Sequence, residues 1–251
     1  MELAKITSFL DRELNIAAFR DSSHNGLQVE NSGCVRKICV GVDASLEFFR
    51  KAVAKKADLL ICHHGLSWGD SLKRITGLHY RRLRCLLDHD VALYACHLPL
   101  DAHPRLGNNA GICRALGLGQ LKPFGIYEGM TLGYRGLLPR AIPYPEFRER
   151  ATAVFGNMVA TLEFGPARVR SVAVVSGGAA DEIAQAGEAG VDVYVSGEPK
   201  LAAYSLAQEY GIHALFAGHY ATEVFGVQAV ARLLADRFPV DAEFIDLGIC
   251  L

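Results

Sequence analysis

Two stretches of this chain carry the same strand–helix–strand rhythm, without a gap, at an offset of 134 residues (169 − 35 = 134). The segment VRKICVGVDASLEFFRKAVAKKADLLICHHG, 35–65, runs against VRSVAVVSGGAADEIAQAGEAGVDVYVSGEP, 169–199. Val35, Arg36, Val40 and Asp58 recur as Val169, Arg170, Val174 and Asp192. An ungapped match over a whole supersecondary unit supports an internal duplication. The order strand, helix, strand implies a right-handed parallel crossover, which places the chain in the α/β class. The next strand extends the match. VALYACHLPLD, 91–101, aligns with HALFAGHYATE, 213–223, at an offset of 122 (219 − 97 = 122), so the second copy has a shorter connection. Each half therefore ends a strand in His-x-x-x-acid, as His97…Asp101 and His219…Glu223.

Periodicity predicts helices over 2–19, 45–56, 78–89, 108–117 and 145–155, with Asp43 and Ser45 as caps for the second. It predicts strands over 35–42, 58–62, 91–96, 157–164 and 169–175. The segment 21–33 is turn-rich, and Asn25-Gly26 is a turn signal that leaves His24 on a surface turn. Residues 119–147 are rich in Gly, Pro and Tyr and read as a boundary. The expected division is a first α/β unit, 1–120, carrying His63, His64 and Asp101, and a second, 121–251, carrying His219 and Glu223. The C-terminal part of the second is expected to pack back on the first.

The bulk properties exclude several functions. The chain has 251 residues, a formal net charge of −1 and 21% charged residues, so no global field draws in nucleic acid. The basic run Lys73 to Arg84 reads as a solvated helix face. No stretch of 18 apolar residues exists, so no membrane partner is expected, and the N-terminus lacks a signal-peptide pattern. Seven cysteines include no C-x-x-C pair, and several sit in apolar runs, which fits a reducing cytoplasm. The glycine patterns of dinucleotide-binding and P-loop proteins are absent.

Imidazole and carboxylate ligate divalent ions such as Zn, Mn and Fe. His63 and His64 end a strand, where α/β folds place their sites, and Gly65 lets the backbone turn sharply. His219 and Glu223, at i and i+4, share one face of a helical turn and suit one ion. A carboxylate in such a mixed set can bridge two ions. Lone His79 and His103 read as ordinary surface residues. His97 reads as a base beside the metal or as a holder of Asp101. Glu198, at the position matching His64, reads as an acid/base in the cleft or as a helix cap.

These residues also carry a likeness. Asn25-Gly-Leu-Gln-Val29, Ile61-Cys-His-His-Gly65, His97…Asp101 with Gly107-Asn-Asn, and Ala217-Gly-His-Tyr-Ala-Thr-Glu223 resemble the signatures of the Nif-three-like dinuclear-metal family, the GTP cyclohydrolase I type 2 homologues. The resemblance runs over nearly the whole chain, in the family's motif order. It implies two related, intertwined α/β units with mixed sheets flanked by helices. It implies two divalent metal ions per chain (Zn, Fe or Mn) on His63, His64, Asp101, His219 and Glu223, and a ring-shaped homo-hexamer. Ser67-Trp68-Gly69 departs from the more aliphatic, Pro-containing segment of many members, which touches the pocket wall and not the ligands. The expected function is a metal-dependent hydrolase acting on a small polar, nucleotide-like substrate, with His97 or Glu198 shuttling the proton. The alternative is a non-catalytic protein that stores, delivers or senses metal, or scaffolds partners.

Overall fold

The computed structural model describes residues 1–251. The backbone forms two compact mixed α/β units, Met1–Leu100 with Gly226–Gly248 and Asp101–Phe225 with Ile249–Leu251.

In the first half of the chain the order is α1 (Leu3–Glu13), β1 (Gly26–Val29), β2 (Lys37–Asp43), α2 (Leu46–Ala54), β3 (Leu59–His64), α3 (Gly77–Leu87) and β4 (Ala92–Ala95). α4 (Leu98–Ala102), α5 (Asn108–Ala115), β5 (Gly119–Tyr127) and β6 (Met130–Pro143) follow. The second half repeats the first as α6 (Tyr144–Phe155), β7 (Ala160–Glu163), β8 (Arg168–Val174), α7 (Ile183–Glu188), β9 (Val193–Ser196), α8 (Leu201–Tyr210) and β10 (His213–Phe216). α9 (His219–Arg237) and β11 (Asp241–Phe244) close the chain.

The sheet of the first unit has the order β1-β4-β3-β2-β11, all parallel except β1. β2 and β3 read KICVGVD and LLICHH. Such near-continuous apolar runs are what strands covered on both faces require. Phe48 and Phe49 of α2 are fully buried against this sheet. A Cβ at Gly41 would come within 2.6 Å of the Phe48 ring, so glycine there admits the helix. The second unit has the order β5-β6-β8-β9-β10-β7. Its β8, β9 and β10 are parallel, and β7 lies antiparallel on β10 as β1 does on β4.

The order β7-β10-β9-β8 therefore reproduces β1-β4-β3-β2 in sequence, neighbour and direction. One hydrogen-bond clasp is repeated too. Asp58 Oδ2 accepts the N–H groups of Arg36 and Lys37 at 2.8 and 2.9 Å. Asp192 Oδ2 accepts those of Arg170 and Ser171 at 2.8 Å each. This is why the two aspartates stood out among the sparse identities between the copies.

The structure differs from the periodicity at several places. The first helix stops at Glu13, because Asn15 takes a left-handed φ of 49° and only a short 3₁₀ turn, Ile16–Ala18, follows. The turn-rich 21–33 contains β1, which pairs with β4. Ser45 alone caps α2, accepting the Phe48 N–H at 3.2 Å. The stretch 119–147 contains the β5–β6 hairpin, turning on Glu128 and Gly129, both with positive φ (47° and 79°). That is a tight turn compatible with strand twist, and Pro123 is tolerated because β5 is an edge strand. The units divide at Leu100/Asp101 rather than at 120/121. Asp101 falls in the second unit, where Asn108 and Ser176 hold its carboxylate at 2.8 and 3.0 Å. β11 pairs with β2, which returns residues 226–248 to the first unit. Arg81 and Arg84 of the basic run are exposed, and Arg84 pairs with Asp88 at 3.0 Å. No helix is long and apolar enough to cross a membrane.

Candidate metal centre

Three imidazoles meet at the strand ends of the first unit. His63 and His64 are the last two residues of β3, so the chain turns after them rather than between them. Their ring centroids are 4.7 Å apart, and His97, immediately after β4, lies 5.1 Å from His63 and 5.6 Å from His64. One nitrogen from each of the three falls within 4.8 Å of the others, the spacing of ligands around a metal ion.

Each ring is oriented through Nδ1. His63, fully buried, faces the Cys96 carbonyl at 3.0 Å. His64 faces Asp43 at 2.9 Å, and His97 faces Asp21 at 2.9 Å. An oxygen acceptor at Nδ1 selects the Nδ1–H tautomer, which puts the lone pair on Nε2. This is the support that metal-ligating histidines receive. The Asp21 side chain is itself buried. Burial pushes its carboxyl up, but the hydrogen bond and charge of His97, then Asn25 and the Ser23 N–H, outweigh this and hold it at about 2.

The segment 21–28, read as a surface turn, is thus the frame of this cluster. Asn25 Oδ1 accepts the His97 N–H at 2.7 Å, and Asp21 also takes the Leu98 N–H at 3.0 Å. Gln28 Oε1 accepts the N–H groups of Leu66 and Ser67 at 2.7 and 3.1 Å, tying down the loop after His64. His24 is exposed and bonds Ser67 through Nδ1.

Within the second unit, two carboxylates and one imidazole lie close together. Asp101 and Glu223 are both buried, with carboxylate oxygens within 4.8 Å of each other. His219 opens α9, and its Nε2 lies 3.0 Å from Glu223 Oε1 one turn on, as the i, i+4 spacing requires. Glu198 accepts from His219 Nδ1 at 2.7 Å. The helix after it begins at Leu201 with Lys200 at the cap position, so Glu198 orients His219 and caps nothing. Burial pulls the His219 imidazole down, but the hydrogen bonds and charges of Glu223 and then Glu198 lift it to about 9.

Gly177, the duplicate of Asp43 (43 + 134 = 177), has φ +68°, and a Cβ there would lie 2.4 Å from Glu223 Oε1. Nothing in the local sequence marks its role. Asp21 and Asp43 were equally invisible, since their contacts are made across 76 and 21 residues.

Buried carboxylates beside oriented imidazoles fit divalent cations, whose charge offsets the cost of burying the acids. Fold and donor groups together define a class: a duplicated α/β protein with His, Asp and Glu clusters able to ligate metal. The chain belongs to the Duf34/NIF3 (NGG1p interacting factor 3) family, whose model matches residues 1–248. It is 43% identical over 247 residues to the GTP cyclohydrolase 1 type 2 homolog of Archaeoglobus fulgidus, covering 98% of each chain. It is 42% identical over 242 residues to that of Deinococcus radiodurans, covering 96% of this chain and 92% of the relative. Among solved structures it is similar to protein ybgI, described as of unknown function, with a TM-score of 0.94, 36% identity and full coverage of both chains.

Proposed function

We propose that this protein is a dinuclear-metal-dependent hydrolase of a small polar, nucleotide-like substrate, with two divalent ions (Zn, Fe or Mn) held by His63, His64, Asp101, His219 and Glu223. The observation that carries the reading is the orientation of His63, His64 and His97 by oxygen acceptors at Nδ1. Side chains that only pack have no need of three such supports in one cluster. The relatives' names support the nucleotide-like class.

Bound divalent ions would polarise the substrate and supply an activated water at neutral pH. The rest falls to the chain's own residues. His97 handles the proton at Nε2, with Asp21 fixing its ring. Glu198 holds His219 through Nδ1 and is the second group in reach of proton transfer. Asp101 is fixed by Asn108 and Ser176, so its carboxylate meets a ligand in one orientation. The chain acts in the cytoplasm, where its seven free thiols stay reduced, and as a homo-oligomer, hexameric by resemblance.

Proton linkage gives one expected result. Without metal, His219 keeps its proton up to about pH 9. An ion taking Nε2 must displace that proton, so low pH opposes binding. Apparent affinity should rise about tenfold per pH unit between pH 6 and 8. Competition with a chromophoric chelator reads this directly, and an affinity flat across that range contradicts it.

The test of the reading is elemental analysis after native purification. Wild-type protein should carry close to two ions per chain, and His63→Ala and Glu223→Ala should each lose most of them while staying folded. Wild-type metal well below one ion per chain would overturn it.

A further inference from the structure

The loop after β3 holds a residue that the metal centre does not use. Trp68 is the chain's single tryptophan. Its indole is half-buried, with a ring centroid 4.9 Å from His97 and 5.8 Å from His64.

The loop is fixed on several sides. Besides the two N–H groups taken by Gln28, Gly69 N–H donates to Ser22 O at 2.8 Å and His24 N–H to Ser67 O at 3.0 Å. The Trp68 backbone N–H donates to Ser71 Oγ at 2.9 Å. The indole Nε1–H donates to Gly65 O at 2.8 Å, inside its own loop. The ring's one polar group is therefore spent internally. What Trp68 offers a ligand is π surface, already immobilised, so no ordering cost falls on binding. A bulky, rigid, partly exposed aromatic beside polar imidazoles is poor economy for a residue that only shields them, since a smaller aliphatic side chain would cover the rings. It is the arrangement that recognises a flat ring system by stacking.

We propose that Trp68 is a stacking wall for a planar, purine-like heteroaromatic group bound beside His64 and His97. This deepens the hydrolase reading, and rests on it, by naming what part of the substrate the pocket reads: its ring, rather than its sugar or phosphate.

The test uses GMP and ribose 5-phosphate as probes on full-length protein of measured metal content. Because Trp68 is the only tryptophan, its fluorescence reports the site directly. GMP should change the emission saturably and bind at least about tenfold more tightly than ribose 5-phosphate. Trp68→Leu should lose about tenfold or more in GMP affinity by calorimetry, with metal content unchanged, and Trp68→Phe should stay within about threefold of wild type. Equal binding of the two probes, no GMP binding at millimolar concentration, or Trp68→Leu within about twofold of wild type would overturn the proposal. Loss of metal in Trp68→Leu would also overturn it, by showing a packing role for the indole. Wild-type protein that lacks metal but still stacks GMP on Trp68 would sink the hydrolase reading and leave this one standing.

Discussion

Gly177→Ala is expected to lower the metal content of the purified protein at least about tenfold without replacing any ligand. Gly177 sits at φ +68°, and a Cβ there would lie 2.4 Å from Glu223 Oε1 and 3.1 Å from His219 Nε2. Both donors would have to move. Glu223 is buried and cannot swing into solvent, so the displacement falls on the geometry of the two proposed ligands. The left-handed backbone adds only about 1–2 kcal/mol of strain, too little to unfold a protein of this size. Gly178→Ala is the control. Its φ is not left-handed, and its Cβ would meet nothing nearer than Glu198 at 3.7 Å. Elemental analysis of both variants, with circular dichroism to show the fold, decides the matter. Full metal in Gly177→Ala would mean that Glu223 does not ligate from the position it occupies.

Asn109→Ala is expected to destabilise the protein by roughly 3–5 kcal/mol. Asn109 is fully buried, and its amide ties three backbone segments together. Its Oδ1 accepts the Ser176 N–H at 2.7 Å, and its Nδ2 donates to Leu132 O at 2.9 Å and Asp101 O at 3.3 Å. Alanine would strand a buried N–H and take the Nδ2 donor from two carbonyls, at about 1–3 kcal/mol for each group left unsatisfied, and leave a small cavity. Urea unfolding should be measured on metal-free protein, because a bound ion stabilises the folded state and masks part of the loss. A change under about 1 kcal/mol would show that water or a relaxed backbone satisfies those groups.

The Gly107-Asn-Asn motif shows how much of this was legible beforehand. Its presence beside His97…Asp101 could be read, but the work of its two asparagines could not. Asn108 fixes the Asp101 carboxylate seven residues away, within reach of sequence reasoning. Asn109 reaches 67 residues on to Ser176, which no local pattern records. The i, i+4 pairing of His219 with Glu223 was legible because helix geometry alone brings them together. The hairpin across 119–147 was not, because glycine and proline read as breakers until neighbouring strands supply the pairing that tolerates them.

The duplicated unit, the strand ends and the candidate ligand side chains follow from the amino-acid sequence by itself. They depend on periodicity and on short spacings, which the backbone enforces locally. The tertiary structure decided what surrounds those donors. It set Asp21, Asp43 and Glu198 against the Nδ1 atoms of His97, His64 and His219. It pinned Trp68 beside two imidazoles, and it required a glycine at position 177. A hydrogen-bond partner needs only to be near in space, and folding brings residues close with little regard for their distance along the chain.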